Sequence, residues 1–185
     1  MLSKRSLLKL GLGACASAGL SAAPALSWAN PFNSNDIRTV ALHNLHTGEM
    51  LEAVYFEQGD YIPDVLEAVN HQLRDYRNGK VHPINPGVLD LLHAVSERTE
   101  SRATFQVISG YRSPETNAML HEHSGEVAKR SLHVQGMAID VRLPGVELRH
   151  LHAAALSLGR GGVGYYPGSD FVHMDVGPVR SWSGT

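Results

Sequence analysis

The stretch SLHVQGMAIDV, residues 131–141, joins a polar loop to an apolar run. The run from 137 to 143 is stopped by Pro144-Gly145 and predicts a strand. His133 lies just before this strand, and Asp140 lies inside it. Imidazole nitrogen and carboxylate oxygen are two of the ligand types that hold zinc in catalytic sites. Because one histidine and one aspartate recur at this spacing by chance, a metal site requires a third ligand elsewhere.

Strand-like runs lie on both sides of this stretch, at residues 38–43, 50–56, 104–109, 163–166 and 171–176. Turn signals follow the first and fourth of these runs, Thr47-Gly48 and Pro167-Gly168-Ser169, and predict two hairpins. Helices are predicted at 63–78, 85–95, 113–121 and 147–158. Without regular βαβ alternation, the pattern favours an α+β fold, with a mainly antiparallel sheet and flanking helices. The tail to Thr185 is expected to be short and loose.

The first 29 residues have the pattern of an export signal. Lys4, Arg5 and Lys9 precede a run of apolar and small residues from 10 to 26, and Ser27-Trp28-Ala29 offers a cleavage site. Residues 3–9 resemble the twin-arginine export motif, with Lys4 in place of the first arginine. A lipoprotein signal ending at Cys15 is the alternative. The run is too short and too weakly apolar for a stable membrane span.

Residues 30–185 then form one domain, in which we find no internal repeat and no linker. Removing residues 1–29 takes away three of 16 basic residues and no acidic one, so 13 basic and 18 acidic side chains remain, a formal charge of −5. A mildly acidic domain without basic runs is a poor nucleic-acid binder. Cys15 is the only cysteine, so stability must come from the core and from a bound metal rather than from disulfides.

A third candidate ligand, His173, lies inside the last predicted strand. Two imidazoles, one carboxylate and an open fourth position make a plausible catalytic zinc set, with His133 and Asp140 as the other two ligands. Such a site needs a general base. Asp170 is the first candidate, although it also suits a turn after Pro167-Gly168-Ser169. Asp175 shares a strand face with His173, and it is either a base or the partner that orients a ligand imidazole.

Arg112 is the candidate for holding substrate. Its planar guanidinium can bind a carboxylate bidentately or stabilise the oxyanion of a tetrahedral intermediate; a simple surface charge is the alternative. Ser109 and Tyr111 could add hydrogen bonds to substrate, and Ser131 could orient substrate or the His133 loop. The histidines in His121-Glu122-His123 look metal-like but are interpreted as solvated residues at a helix end, and four others are interpreted as structural: His43, His46, His150 and His152. The glycines at 159–164 lack the context of a phosphate loop, so close packing or a bend is the interpretation.

Three motifs in order resemble a known group of enzymes. The pattern Ser-x-His-x-x-Gly-x-Ala-x-Asp of residues 131–140 is similar to the zinc signature of D-alanyl-D-alanine carboxypeptidases and dipeptidases. Residues 109–113, SGYRS, resemble their substrate-binding segment, and the acid-then-histidine pair at 170 and 173 resembles theirs. The segments LHNLHTGE at 42–49, GGVGYYP at 161–167 and FVHMD at 171–175 are closer to one exported branch, the murein endopeptidase K-like family of Gram-negative bacteria.

This resemblance, from about residue 38 to 182, implies a hedgehog/DD-peptidase type of fold and Zn²⁺ held by His133, Asp140 and His173. It implies a periplasmic endopeptidase that hydrolyses cross-links between peptidoglycan stem peptides, in particular those joining two diaminopimelate residues. The carboxypeptidase relatives more often carry Glu at the position of Asp170. We expect a monomer. The alternatives are a D,D- or L,D-carboxypeptidase and a wall-binding module that keeps zinc without turnover.

Overall fold

A mixed sheet forms the centre of the computed structural model, which describes residues 36–124 and 127–184. These residues belong to one compact unit, Phe32–Thr185. Within them the sheet has eight strands in the order β3-β2-β1-β4-β5-β7-β6-β8. The strands are β1 Arg38–Asn44, β2 Met50–Glu57, β3 Asp60–Tyr61, β4 Phe105–Ser109, β5 Ala138–Arg142, β6 Gly162–Tyr166, β7 Phe171–Asp175 and β8 Arg180–Ser183. The predicted export signal, residues 1–29, lies outside the described residues.

The two predicted hairpins are present, as the antiparallel pairs β1–β2 and β6–β7. The expectation of a mainly antiparallel sheet is corrected, because β1–β4 and β6–β8 are parallel pairs. Each parallel pair arises where the chain leaves a strand, forms other elements and returns to its side in the same direction. The residue pattern within a strand does not predict which strand will pair with it in parallel. The mixture of parallel and antiparallel pairs in this sheet therefore depends on tertiary structure.

The expectation of a loose tail is wrong. Residues 180–183 form β8, which pairs in parallel with β6 so that Gly164 lies opposite Trp182. The tail is four residues of edge strand without an apolar run of its own, which is why its pattern did not predict a strand. This pairing places two side chains of β8, those of Arg180 and Trp182, next to the predicted ligands.

Four helices flank the sheet in the described residues: α1 Pro63–Gln72, α2 Pro86–Thr99, α3 Pro114–His123 and α4 Leu148–Ser157. The side chain of Asn85 caps α2 by accepting from the Gly87 amide, and Ser113 caps α3 by accepting from the Thr116 amide. Helix α1 ends at Gln72, six residues before the predicted end. The chain leaves the helix there because the Leu73 carbonyl accepts a hydrogen bond from the Tyr111 amide, at 2.7 Å. None of these helices is long and apolar enough to cross a membrane.

The core lies between the helices and one face of the sheet. Ile139 and Val141 of β5, and Val172 and Met174 of β7, are almost fully buried in this apolar cluster together with residues of α2 and α4. Because side chains alternate along a strand, Asp140 between the first two projects from the opposite face. The local alternation of β5 and β7 therefore separates the residues that stabilise the fold from those that form the site.

Candidate metal centre and active site

The three predicted ligands come together on the face of the sheet opposite the core. Asp140 of β5 pairs directly with His173 of β7, and His133 lies on the 3-10 turn Leu132–Gln135 that precedes β5. His133 Nε2 lies 3.2 Å from both His173 Nδ1 and Asp140 Oδ1, and the last two atoms are 2.8 Å apart. All three residues are buried. They form a His–Asp–His cluster able to hold a metal ion.

The outer ring nitrogens of both histidines are held by fixed acceptors. His133 Nδ1 lies 2.7 Å from the Gly110 carbonyl oxygen, and His173 Nε2 lies 3.0 Å from Asp175 Oδ2. Since a carbonyl oxygen only accepts, Nδ1 of His133 carries the proton and its Nε2 presents a lone pair to the cluster. A backbone carbonyl and a carboxylate are the usual partners of metal-binding imidazoles.

The donor set fits zinc. Four-coordinate zinc with bonds of about 2.0–2.2 Å places its ligand atoms about 3.3 Å apart. The three inner atoms are 2.8–3.2 Å apart, so movements of a few tenths of an ångström bring them to that spacing. Three protein ligands, two imidazoles and one carboxylate, leave the fourth position open, as in catalytic zinc sites. A cavity of about 430 Å³ adjoins the cluster and is lined by all three residues.

The charges of the cluster suit a cation. Burial lowers the pKa of His133 despite the nearby carboxylate of Asp140, so its imidazole is neutral at neutral pH. Burial also opposes ionisation of Asp140, but the hydrogen bond and charge of protonated His173 outweigh burial and hold the pKa of Asp140 well below the usual range. Burial lowers the pKa of His173, whereas hydrogen bonds to Asp140 and Asp175 raise it to about 9. A metal ion would therefore displace a proton from His173.

Asp175 lies behind His173 and does not face the cavity. Its side chain is fully buried, and its carboxylate accepts from Arg180 at 2.6 and 3.0 Å and from the amides of Gly162 and Gly177, both at 2.9 Å. Burial raises the pKa of Asp175, but these bonds and His173 outweigh burial and lower it well below the usual range. A carboxylate this fully engaged is suited to orienting His173 rather than to accepting a proton from water.

Two glycines of β6 make room for the side chains of β8. A Cβ on Gly162 would lie 2.4 Å from the Arg180 guanidinium, and one on Gly164 would lie 2.7 Å from the Trp182 ring. Without these Cβ atoms, Arg180 reaches across β6 to Asp175, and the Trp182 ring lies 5.1 Å from that of His173. For Gly162 and Gly164, these contacts are close packing, one of the two interpretations of the glycines at 159–164.

Arg112 lies beside the cluster and lines the cavity. Its Nη2 is 4.0 Å from Asp140 Oδ2, its Nη1 is 3.4 Å from the Asn117 side chain, and its buried Nε has no partner among the described residues. Burial lowers the pKa of Arg112, partly offset by Asp140, but a guanidinium stays charged at neutral pH. An under-bonded buried cation beside a metal centre is placed to receive an anionic group.

The other predicted substrate-binding residues are divided between the cavity and its surroundings. Ser131 lines the cavity, and its hydroxyl accepts from the His133 amide, at 3.3 Å. Ser109 is buried at the end of β4, opposite Asp140. Tyr111 is buried and stacks on His82 with ring centroids 4.7 Å apart. Ser109 and Tyr111 are not among the residues lining this cavity.

Asp170 lies in the turn before β7, with a left-handed φ of 53°. Its carboxylate is 2.6 Å from Arg142 Nη1, and its side chain is 59% exposed. Its neighbour Ser169 lines the cavity, whereas Asp170 does not. Aspartate tolerates left-handed backbone better than most residues, so the turn interpretation agrees with its conformation. The structure does not bring its carboxylate into the His–Asp–His cluster.

Sequence reasoning missed three contributors to the site: Gly110, Arg180 and Trp182. Gly110 packs so closely on Leu73 that a Cβ would lie 2.6 Å from the Leu73 carbonyl oxygen, and its own carbonyl fixes His133. Gly110 belongs to the SGYRS segment that resembles a substrate-binding segment, but its contact with His133 was not predicted. Arg180 and Trp182 carried no local signal because their role depends on parallel pairing of β8.

Comparison with known proteins shows one family model and several relatives that match most of this chain. The chain matches the family model described as peptidoglycan L,D-endopeptidase MepK over residues 32–182. It is 43% identical over 179 residues to the peptidoglycan L,D-endopeptidase MepK of Escherichia coli (strain K12), covering 97% of this chain and 96% of that protein. It is 40% identical over 148 residues to the probable peptidoglycan L,D-endopeptidase MepK of Haemophilus influenzae, covering 80% of each. No solved structure matches the chain significantly.

Proposed function

Because this chain belongs to the peptidoglycan L,D-endopeptidase MepK family, we propose that it is a zinc-dependent peptidoglycan endopeptidase that hydrolyses amide cross-links between stem peptides. The observation that carries the proposal is the buried cluster in which His133 Nε2, His173 Nδ1 and Asp140 Oδ1 lie within 3.2 Å of one another. A metal in that cluster would border the cavity, where a peptide carbonyl can approach it. The α+β fold, with two of the three candidate ligands on adjacent central strands, also supports assignment to the hedgehog/DD-peptidase type.

His133, Asp140 and His173 would hold the zinc ion, which when bound would supply Lewis acidity for polarising the scissile carbonyl and activating water. The chain's own groups prepare the site. The Gly110 carbonyl and the Asp175 carboxylate fix the two imidazoles with their inner nitrogens directed at the metal position. These fixed orientations remove the cost of rearrangement during the reaction.

Arg112 has the position for binding charge that develops on the substrate. Its guanidinium lies beside Asp140 and keeps one buried nitrogen without a partner among the described residues. It can stabilise the oxyanion formed when the carbonyl is attacked, or hold a carboxylate of the stem peptide bidentately. Ser131 acts on the same wall by fixing the start of the turn that carries His133.

The general base is assigned to Asp170, with Asp175 as the orienting partner of His173. The Asp175 carboxylate makes five hydrogen bonds with four groups and is fully buried, so it has no free path to water in the cavity. Asp170 is exposed and lies next to the cavity-lining Ser169. To act as a base it must leave Arg142, and at the surface such an ion pair contributes only about 0–1 kcal/mol.

The cellular setting follows from the same proposal. The signal in residues 1–29 sends the enzyme to the periplasm, by the twin-arginine route that residues 3–9 resemble. The two relatives are named for a peptidoglycan substrate, which lies outside the cytoplasm. The protein acts as a monomer, without nucleic acid as a partner.

The test is digestion of purified sacculi by the purified protein, with and without chelator, followed by separation of the muropeptides. Cross-linked dimers should disappear in the first sample, persist with chelator and disappear again when zinc is restored. A His133→Ala variant should leave them intact. Dimers that persist in every sample contradict the enzyme assignment, and loss of terminal residues from monomers with dimers intact identifies a carboxypeptidase instead.

A further inference from the structure

One wall of the cavity is aromatic and has no role in the chemistry described so far. It consists of Tyr166 at the end of β6, Phe171 at the start of β7 and Trp182 on β8, and all three line the cavity beside the metal centre. Tyr166 and Phe171 stack with ring centroids 4.5 Å apart. The three rings are half-buried. They form a continuous apolar surface open to the cavity.

Specific contacts hold the rings of the aromatic wall in place. Trp182 crosses β6 at Gly164, where any Cβ would lie 2.7 Å from its ring. Its indole N–H donates to the Tyr166 hydroxyl at 2.8 Å. Because this bond occupies the only polar atom of Trp182, the ring surface that remains towards the cavity is apolar. Arg180 is the charged group at this wall, with its guanidinium carbon 5.0 Å from the centroid of the Trp182 ring, and it is paired with Asp175.

We propose that this aromatic wall is the subsite for the aliphatic side chain of a stem-peptide residue next to the scissile amide, of the diaminopimelate class. This inference rests on the proposed function. A cross-linking diamino acid carries several consecutive methylenes, and aromatic faces remove methylenes from water without requiring a polar partner. The wall therefore selects for the length of the side chain at the cross-link.

Distance favours the side chain over the sugar of the glycan strand as the occupant. The Trp182 ring lies 5.1 Å from the ring of His173, so a group resting on it is within one residue of the carbonyl under attack. Each residue of an extended peptide spans about 3.3–3.6 Å. The glycan is separated from a cross-link by the intervening stem residues, which places it beyond the wall.

The test compares substrates of different side-chain length. Three cross-linked dimers are used. One has full-length diamino acids on both sides of the scissile amide. In each of the other two, one of these residues is shortened by two methylenes, on the carbonyl side in one dimer and on the nitrogen side in the other. The enzyme should prefer the full-length dimer over at least one shortened dimer about tenfold in kcat/KM, as expected for two buried methylenes. Trp182→Leu and Phe171→Leu should each reduce this preference to within about twofold. The shortened dimer against which the variants lose the preference identifies which residue of the cross-link contacts the aromatic wall.

Tyr61→Leu is the matched control, because Tyr61 is an aromatic residue of β3 at the other edge of the sheet, 37% exposed. It should keep the wild-type preference. Zinc affinity, measured by chelator competition, should stay within about threefold of wild type in all variants. Unchanged preference in both wall variants overturns the subsite, as does a Trp182 variant whose only defect is zinc loss. If the wild type cleaves no dimer, the proposed function fails, and calorimetric binding of the three dimers still tests the subsite.

Discussion

Replacing Asp175 by Asn tests how far metal binding depends on the carboxylate behind His173. The amides of Gly162 and Gly177 both donate to Oδ1 of Asp175, so the oxygen of an Asn side chain would occupy that position. Its NH₂ group would then take the place of Oδ2, which now faces His173 Nε2 at 3.0 Å and Arg180 Nη2 at 2.6 Å. The N–H groups of His173 Nε2 and Arg180 Nη2 would then face a third donor, the new NH₂ group, with no acceptor between them. His173 can relieve this conflict by moving its proton to Nδ1, the nitrogen that faces the metal position.

The expected loss is large because two effects act in the same direction. Removing the outer partner of a ligand histidine typically weakens metal affinity by about 10–100-fold, or about 1.4–2.7 kcal/mol. Here the proton also moves onto the coordinating nitrogen, so we expect the upper end, about 100-fold. The metal-free variant should also unfold about 1–3 kcal/mol more easily, since the NH₂ group of the new side chain would be buried without an acceptor, facing donors of His173 and Arg180.

The assay is competition for zinc with a chromogenic chelator at pH 7, with circular dichroism to verify folding. Asp60→Asn is the control, because Asp60 is an exposed aspartate of β3 at the far edge of the sheet. It should bind zinc as the wild type does. A folded Asp175→Asn protein whose zinc Kd stays within twofold of wild type would refute the orienting role.

Three further predictions concern other side chains. Asp170→Asn should lower kcat about 10²–10⁴-fold with zinc affinity unchanged if Asp170 is the base; unchanged kcat on cross-linked dimers identifies it as a turn residue paired with Arg142. Arg112→Met should lower kcat/KM about 10²-fold while zinc still binds, and equal kcat/KM would contradict its role. The pKa of buried Asp75 is lowered because hydrogen bonds, including one from the Ser113 amide, outweigh burial. Its stabilisation is present above the unfolded pKa of about 3.9 and lost as the pH falls through the folded pKa. The difference in unfolding free energy between Asp75→Asn and wild type, measured in urea, should therefore shrink from pH 7 to pH 3.

Turns, caps and alternating strands could be predicted because their causes are local. Asn85 before Pro86 sets the start of α2, since the cap is made by a side chain and an amide two residues apart. The β6–β7 hairpin follows from two short runs and the turn between them. The end of α1 was misjudged because a long-range bond, from the Tyr111 amide to the Leu73 carbonyl, stops that helix.

The sequence by itself determined the three chemical groups of the candidate centre, because His133, Asp140 and His173 stand out by type, spacing and resemblance. Only the tertiary structure decided that their inner atoms lie within 3.2 Å. It also decided that Asp175 faces away from the cavity and that Arg180 and Trp182 belong to the site. The physical reason is that strand pairing sets these distances. The parallel return of β8 beside the glycines of β6 joins residues that share no local pattern.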